Sequence, residues 1–63
     1  MLRFLKAHKN SGEVVFINSN HVNTVFKHDS SCYINGVLIK ESIDNTINAL
    51  IKAGDAVVIS IKE

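Results

Sequence analysis

The sequence predicts a small α+β fold in which an antiparallel sheet of five to six strands carries one helix packed on one face. Three observations support this prediction: short β-branched runs separated by turn residues, an Asn-Gly pair within one apolar run, and a single stretch with helical periodicity. The chain has 63 residues, the size of one domain, so we predict a single domain over residues 1–63.

The first half of the chain predicts three strands, at residues 2–7, 13–17 and 22–27. Each consists mainly of apolar, β-branched or aromatic residues. Polar and glycine-containing segments separate the strands, and we expect turns or loops at 9–12, 18–21 and 28–30. The loop at 18–21 has room for a short helical turn.

The Asn35-Gly36 pair is the most specific local signal, because both residues tolerate the positive φ that a type I′ hairpin turn requires. A two-residue turn fixes the pairing of the flanking strands as Ile34 with Val37, Tyr33 with Leu38 and Cys32 with Ile39. One face of the hairpin then carries Cys32, Ile34, Val37 and Ile39, and the other carries Ser31, Tyr33, Leu38 and Lys40. For Thr24 and Phe26 to share the Cys32 face, the preceding loop needs an odd number of residues.

One helix follows the hairpin. Ser42 is suited to cap its first N–H groups, Asp44 lies near the positive end of the helix dipole, and Gly54 suits the left-handed position after the last turn. A single apolar stripe consists of Ile43, Ile47, Leu50 and Ile51. A last strand is expected over residues 56–61, with Val57, Ile59 and Ile61 on one side.

Charge and cysteine content limit the classes of function. Seven basic and six acidic residues give a formal charge of +1, which lacks the basic excess of a dedicated phosphate-backbone binder. No apolar run reaches membrane-spanning length. A single free cysteine, Cys32, excludes an internal disulfide, and we expect a cytoplasmic protein.

Apolar residues on both faces of the predicted sheet indicate a partner chain, because one helix of about three turns covers only part of one face. We predict a homodimer that forms through the sheet and not through the helix, together with binding to another protein. The predicted interface residues are Tyr33, Leu38, Lys27, Lys40, Val57, Ile59 and Ile61. Of these, we expect Lys27 and Lys40 to lie beside Tyr33 on the face away from the helix. A strongly curled sheet that closes both faces into a barrel core is the alternative.

No residue pattern indicates catalysis or a cofactor. His8, His21, His28 and Cys32 are the candidate metal ligands, but they lack the paired short spacing of structural zinc sites. Cys32 is predicted to face the core, where a cysteine is usually a small packed apolar residue and not a nucleophile. Glu41 and Asp44 flank the helix start, where a capping role is available to them. We therefore predict no enzyme activity, no metal and no cofactor.

Between residues 17 and 47, several short motifs follow one another in a fixed order. They are Ile17-Asn18, Val22 with Val25, Asn35-Gly36, and Ile39-Lys40-Glu41-Ser42 with Ile47 in the helix. In these motifs the chain resembles the short flagellar FlbD-like proteins, although His28-Asp29-Ser30 stands where that family has an acidic Pro-Asp-Thr. The resemblance implies the order strands, hairpin and helix, and it implies no catalytic residues.

These observations predict a non-enzymatic interaction or regulatory module that dimerises through its sheet and binds or inhibits a larger protein complex. The alternative is a small nucleic-acid-binding protein that uses Arg3, Lys6, Lys27 and Lys40. A third hypothesis, the weakest of the three, is a small ligand bound at the dimer seam.

Overall fold

The computed structural model describes residues 2–61 and contains two antiparallel sheets, one 3₁₀ helix and one α-helix. The strands are β1 (Phe4–His8), β2 (Val14–Asn18), β3 (Val25–His28), β4 (Ser31–Ile34) and β5 (Val37–Ile39). The 3₁₀ helix, Ser19–His21, precedes β3, and the α-helix α1 (Ile43–Lys52) follows β5. The α+β class is confirmed.

The strands form two sheets, so the predicted single sheet of five to six strands is wrong. Sheet A consists of β1 and β2, and sheet B has the order β3-β4-β5. The sheets separate because the chain between Asn18 and Val25 makes a 3₁₀ turn and a loop instead of a direct hairpin. Within this connection, the side chain of Asn18 accepts a hydrogen bond from the Asn20 backbone N–H at 3.0 Å and so caps the turn.

The core lies between the inner faces of the two sheets. Its buried residues are Ala7 from β1 and Cys32, Ile34 and Ile39 from sheet B. Leu5, Val15 and Ile17 from sheet A and Val22, Val25, Val37 and Ile43 pack around them. Each sheet thus buries one face against the other.

The β4–β5 hairpin has the predicted register, with Cys32, Tyr33 and Ile34 opposite Ile39, Leu38 and Val37. Asn35 and Gly36 have φ angles of 51° and 82°, which confirms the type I′ turn. The Asn35 side chain accepts a 2.8 Å hydrogen bond from Asn23 N–H and donates one of 2.8 Å to the His21 carbonyl. This turn therefore also fastens the loop that joins the two sheets.

The orientation of Phe26 differs from the one that an odd-length loop would give. Only two residues, Asp29 and Ser30, separate His28 from its partner Ser31, and Asp29 has a φ of 53°. Phe26 consequently pairs with Tyr33 and faces away from the core, while Val25 pairs with Ile34 and faces inward. A positive φ at Asp29 makes the tight turn accessible, because aspartate tolerates this region better than most residues.

Helix α1 begins and ends as predicted. The Ser42 hydroxyl accepts a 3.2 Å hydrogen bond from Asn45 N–H, and Gly54, with a φ of 81°, follows the C-cap residue Ala53. Leu50 is buried, whereas Ile51 is 44% exposed, so the apolar stripe is covered only in part.

A polar residue completes the contact between the helix and sheet B. Thr46, which is buried, donates from its hydroxyl to the Ser42 carbonyl at 2.9 Å and lies 3.5 Å from the Cys32 sulfur. Because the single hydroxyl hydrogen is used by Ser42, we assign the Cys32 thiol as the donor in the second contact.

Residues 56–61 form no strand, so the prediction of a last strand is wrong. The segment has no regular secondary structure and pairs with no other part of residues 2–61. Its large apolar side chains are exposed: Val57 by 85%, Val58 by 62%, Ile59 by 83% and Ile61 by 91%. High β-propensity alone does not form a strand, because a strand needs a partner for its backbone groups.

Candidate functional site

The outer face of sheet B carries a continuous apolar row. Phe26, Tyr33 and Leu38 lie opposite one another across β3, β4 and β5, on the face away from the core. The Phe26 and Tyr33 rings are stacked, with centroids 4.9 Å apart and planes inclined by 20°. We call these three residues the aromatic row, and it contains two of the predicted interface residues, Tyr33 and Leu38.

Polar groups flank the aromatic row. His28 shares its face and meets Tyr33 edge-on, with ring centroids 5.2 Å apart. Lys40, which is exposed, follows β5 two residues after Leu38. Phe26 is 53% exposed, whereas Tyr33 and Leu38 are half-buried by their neighbours. The arrangement is an apolar centre with a polar border, which is typical of a protein-binding surface.

Lys27 does not lie beside Tyr33. It pairs with Cys32, so its side chain lies on the inner face of sheet B, opposite the face that carries the aromatic row. The prediction that Lys27, Tyr33 and Lys40 share one face is therefore wrong, because the two-residue turn at Asp29 and Ser30 shifts β3 by one position relative to an odd-length loop.

The outer face of sheet A is also apolar. Phe4, Val14 and Phe16 are exposed by 56%, 43% and 64%, and all lie on the face opposite Leu5 and Ala7. Lys6 pairs with Phe16 and lies on the same face. No other segment of residues 2–61 covers this surface.

The four basic residues proposed for nucleic-acid binding do not form one surface. The Arg3 guanidinium is paired with the Asp55 carboxylate at 2.9 Å. Lys6 lies on the outer face of sheet A, Lys27 pairs with Cys32 on the inner face of sheet B, and Lys40 lies beyond the end of β5. Because phosphate binding gains from clustered cations, this separation weakens the nucleic-acid hypothesis.

A polar clasp joins β1 to the segment after β5. The His8 N–H donates to Glu41 Oε1 at 3.0 Å, and His8 Nδ1 lies 2.8 Å from Glu41 Oε2. Lys40 N–H donates to the His8 carbonyl at 2.8 Å. Burial alone raises the pKa of Glu41, but the hydrogen bonds from the His8 side chain and backbone outweigh it, and the net pKa lies below its ordinary value. Glu41 therefore links the segment after β5 to β1, and the residue that caps α1 is Ser42.

The candidate metal ligands are separated in the structure. Within the part of the chain described here, no three His, Cys, Asp or Glu side chains are grouped so that they could hold a metal ion. Cys32 is a free, fully buried thiol that packs in the core as predicted. Over the same residues, no helix is long and apolar enough to cross a membrane.

Sequence reasoning missed the pairs that join distant parts of the chain. Arg3 with Asp55 and His8 with Glu41 are 52 and 33 residues apart in sequence. No local pattern marks such pairs. The burial of Thr46 is not predicted either, although a signal exists: Thr46 lies three residues after Ile43 and four before Leu50, on the apolar side of α1.

Comparison of the chain with protein-family models, curated proteins and solved structures finds no match. The resemblance to the FlbD-like proteins stays a prediction.

Proposed function

We propose that this protein is a non-enzymatic interaction module that dimerises through its sheets and binds, and thereby regulates or inhibits, a larger protein complex. The observation that carries the proposal is the aromatic row of Phe26, Tyr33 and Leu38 on the outer face of sheet B. The free thiol of Cys32 supports a reducing, cytoplasmic setting.

The aromatic row is suited to binding because its geometry is already fixed. Each residue is held on a paired strand, and the Phe26 and Tyr33 rings support each other at 4.9 Å. A preformed surface loses little side-chain entropy when a partner binds. Aromatic residues also account for a large share of the binding energy in measured interfaces.

The outer face of sheet A and segment 56–61 support the dimer half of the proposal. Phe4, Phe16 and Val14 form one exposed apolar area, and Val57, Ile59 and Ile61 form another. Contiguous apolar surface of this kind is uncommon on monomers and usually marks a contact with another chain.

Affinity purification of three tagged forms tests partner binding. These are the wild type, Leu38→Lys in the aromatic row, and Asn48→Lys on the exposed side of α1 as the matched control. We expect a partner that is recovered with the wild type and the control and lost with Leu38→Lys. That partner should bind the purified wild type in a titration and bind Leu38→Lys about tenfold or more weakly. Equal recovery with all three forms would contradict the proposal.

Single-stranded nucleic acid is a second candidate, favoured by the aromatic row itself. Bases stack on exposed aromatic side chains, and Phe26 and Tyr33 lie on the same face as His28. Lys40 follows at the border and is a candidate phosphate contact. Titration with a labelled oligonucleotide at two salt concentrations separates this candidate from protein binding, since phosphate contacts weaken steeply with salt.

A further inference from the structure

A groove runs between β1 and α1, along the edge of β1 that does not pair with β2. One end is a cavity of about 80 Å³, whose lining includes Ala7, Ile39 and Thr46. The other end is a cavity of about 40 Å³ that reaches Asp55. Leu5 and Ala49 line both cavities, so the two form one groove with an apolar floor.

The β1 edge along this groove has open backbone groups. Ser19 N–H donates to the Arg3 carbonyl at 3.0 Å and Lys9 N–H to the Glu13 carbonyl at 2.8 Å, so odd-numbered β1 residues bond to β2. Phe4, Lys6 and His8 therefore direct their backbone groups to the groove edge.

Of these three residues, His8 is already satisfied by Lys40 and Glu41. At Phe4 and Lys6 the backbone N–H and carbonyl groups on this edge have no partner within residues 2–61. A fifth unpaired polar group, and a third acceptor, lies at the far end of the groove. Asp55 has a side chain only 6% exposed, and its Oδ2 atom is buried with no hydrogen-bond partner in the described chain.

We propose that segment 56–61 of one copy of this chain adds as a strand to the β1 edge of a second copy, and that the second copy returns the same contact. This inference rests on the dimer half of the proposed function and names the surfaces that form it. The open groups of Phe4 and Lys6 pair with the backbone of the incoming segment. One side of that segment, Val57, Ile59 and Ile61, lies over Leu5 and Ala49.

Segment 56–61 and the β1 edge match in length. Six residues in a strand extend about 20 Å, and the five residues of β1 extend about 17 Å. The segment is rich in β-branched residues and the chain contains no proline, so every residue of the segment can donate to a ladder. Addition of a strand to an open sheet edge is a common mode of recognition.

The position of the segment favours a second copy over its own groove. The Arg3–Asp55 ion pair fixes the start of the segment beside the groove, yet residues 57–61 remain exposed and leave that groove open. The segment and a groove of the kind that accepts it therefore lie side by side on one molecule. A two-fold axis at this place brings each segment to the other copy's edge within one closed interface.

Sedimentation over a wide range of concentration tests the inference with one variant on each side of the contact. Ile59→Lys places a charge on the inward side of the segment, and Ala49→Arg fills the groove from an exposed helix position. Ser60→Lys, on the outward side of the segment, and Asn48→Arg, next to the groove residue, are the matched controls. Circular dichroism checks that each variant is folded.

We expect a wild-type dimer whose dissociation constant rises about tenfold or more in Ile59→Lys and Ala49→Arg and stays unchanged in the controls. A mixture of the two impaired variants should recover part of the dimer. In the mixed dimer, the intact segment of Ala49→Arg can pair with the intact groove of Ile59→Lys. A monomeric wild type would overturn the inference. Protection of the amides of 56–61 from exchange in that monomer would show that the segment fills its own groove instead.

The test also separates this inference from the proposed function. A dimer that is lost in Leu38→Lys but kept in Ile59→Lys and Ala49→Arg would overturn the strand addition and leave a dimer formed by sheet B. Failure of Leu38→Lys to release a protein partner would contradict the proposed function, and it is measured in a different assay.

Discussion

The β4–β5 hairpin and segment 56–61 have similar compositions but differ in burial and in strand pairing. Both are short and rich in valine and isoleucine. In the hairpin, Ile34 and Ile39 are completely buried and every residue of β5 pairs with β4. In the segment, Ile59 and Ile61 are 83% and 91% exposed, and none of its residues pairs with a strand of residues 2–61. The difference lies in what precedes each run and not in its propensity.

A turn supplies the hairpin with its partner. Asn35-Gly36 folds β5 back onto β4, so the backbone groups of both strands are satisfied locally. Segment 56–61 follows a helix, and Asp55 is fixed at the start of β1 by Arg3. It has no neighbouring strand in its own sequence. An apolar run of this kind needs either a distant edge of its own chain or an edge of another chain.

The largest expected effect tests the burial difference directly. Ile39→Ala should lower the free energy of unfolding by about 2–5 kcal/mol, because it leaves a cavity in the core. Ile59→Ala, the same change at an 83% exposed position, should leave the unfolding of the monomer nearly unchanged. Urea denaturation at low protein concentration measures both. Equal losses in the two variants would contradict the assignment of the core.

The next effect tests the turn that gives the hairpin its partner. Gly36→Val should cost about 1–3 kcal/mol, because a β-branched residue must adopt a φ of 82°. Apart from its two chain neighbours, no atom of residues 2–61 lies within 4 Å of the added Cβ, so the cost comes from the backbone conformation and not from a clash. Thermal unfolding followed by circular dichroism measures it. A midpoint within about one degree of the wild type would show that the hairpin assignment is wrong.

Local signals in the sequence were sufficient for the elements whose ends are determined by their own residues. The register of β4 with β5 follows from two turn residues, and the limits of α1 follow from Ser42 and Gly54. The orientation of β3 was not predictable in the same way. It depends on whether the turn after His28 has two residues or three, and the aspartate at position 29 permits either.

The candidate site depended on that same turn. Phe26 joins Tyr33 on the outer face only because the turn is short, so the sequence predicts Tyr33 and Leu38 of the aromatic row but not Phe26. The division into two sheets and the Arg3–Asp55 pair depend on contacts between distant residues. Periodicity and turn composition carry no information about such contacts.

A smaller effect separates core packing from the outer surface of the hairpin. Cys32→Ala removes a fully buried sulfur and its contact with Thr46, and should cost about 1 kcal/mol. Because Cys32 lies on the face opposite the aromatic row, partner binding and dimer formation should be intact at low temperature. Chemical denaturation and the binding titration measure the two properties. Complete loss of binding in a folded Cys32→Ala protein would contradict a purely structural role.

The smallest effect concerns the clasp that fastens the end of β5 to β1, a link that segment 56–61 lacks. In the folded protein the Glu41 pKa lies below its ordinary value of 4.5, because the hydrogen bonds from His8 favour the carboxylate. The unfolded chain therefore takes up this proton first as the pH falls. The stabilisation from Glu41 is complete above about pH 5 and is lost as the pH falls through 4.5 toward the lower native pKa.

Other carboxylates also titrate in this range, so the informative quantity is the difference between the wild type and Glu41→Gln. The side chain of Glu41 is 29% exposed, and solvent screening limits the difference to less than about 1 kcal/mol. We expect the wild type to be the more stable protein near pH 6 and the two free energies of unfolding to converge near pH 3. Urea denaturation at a series of pH values measures this. A constant offset across the whole range would mean that Glu41 stabilises the fold by packing and not through its charge.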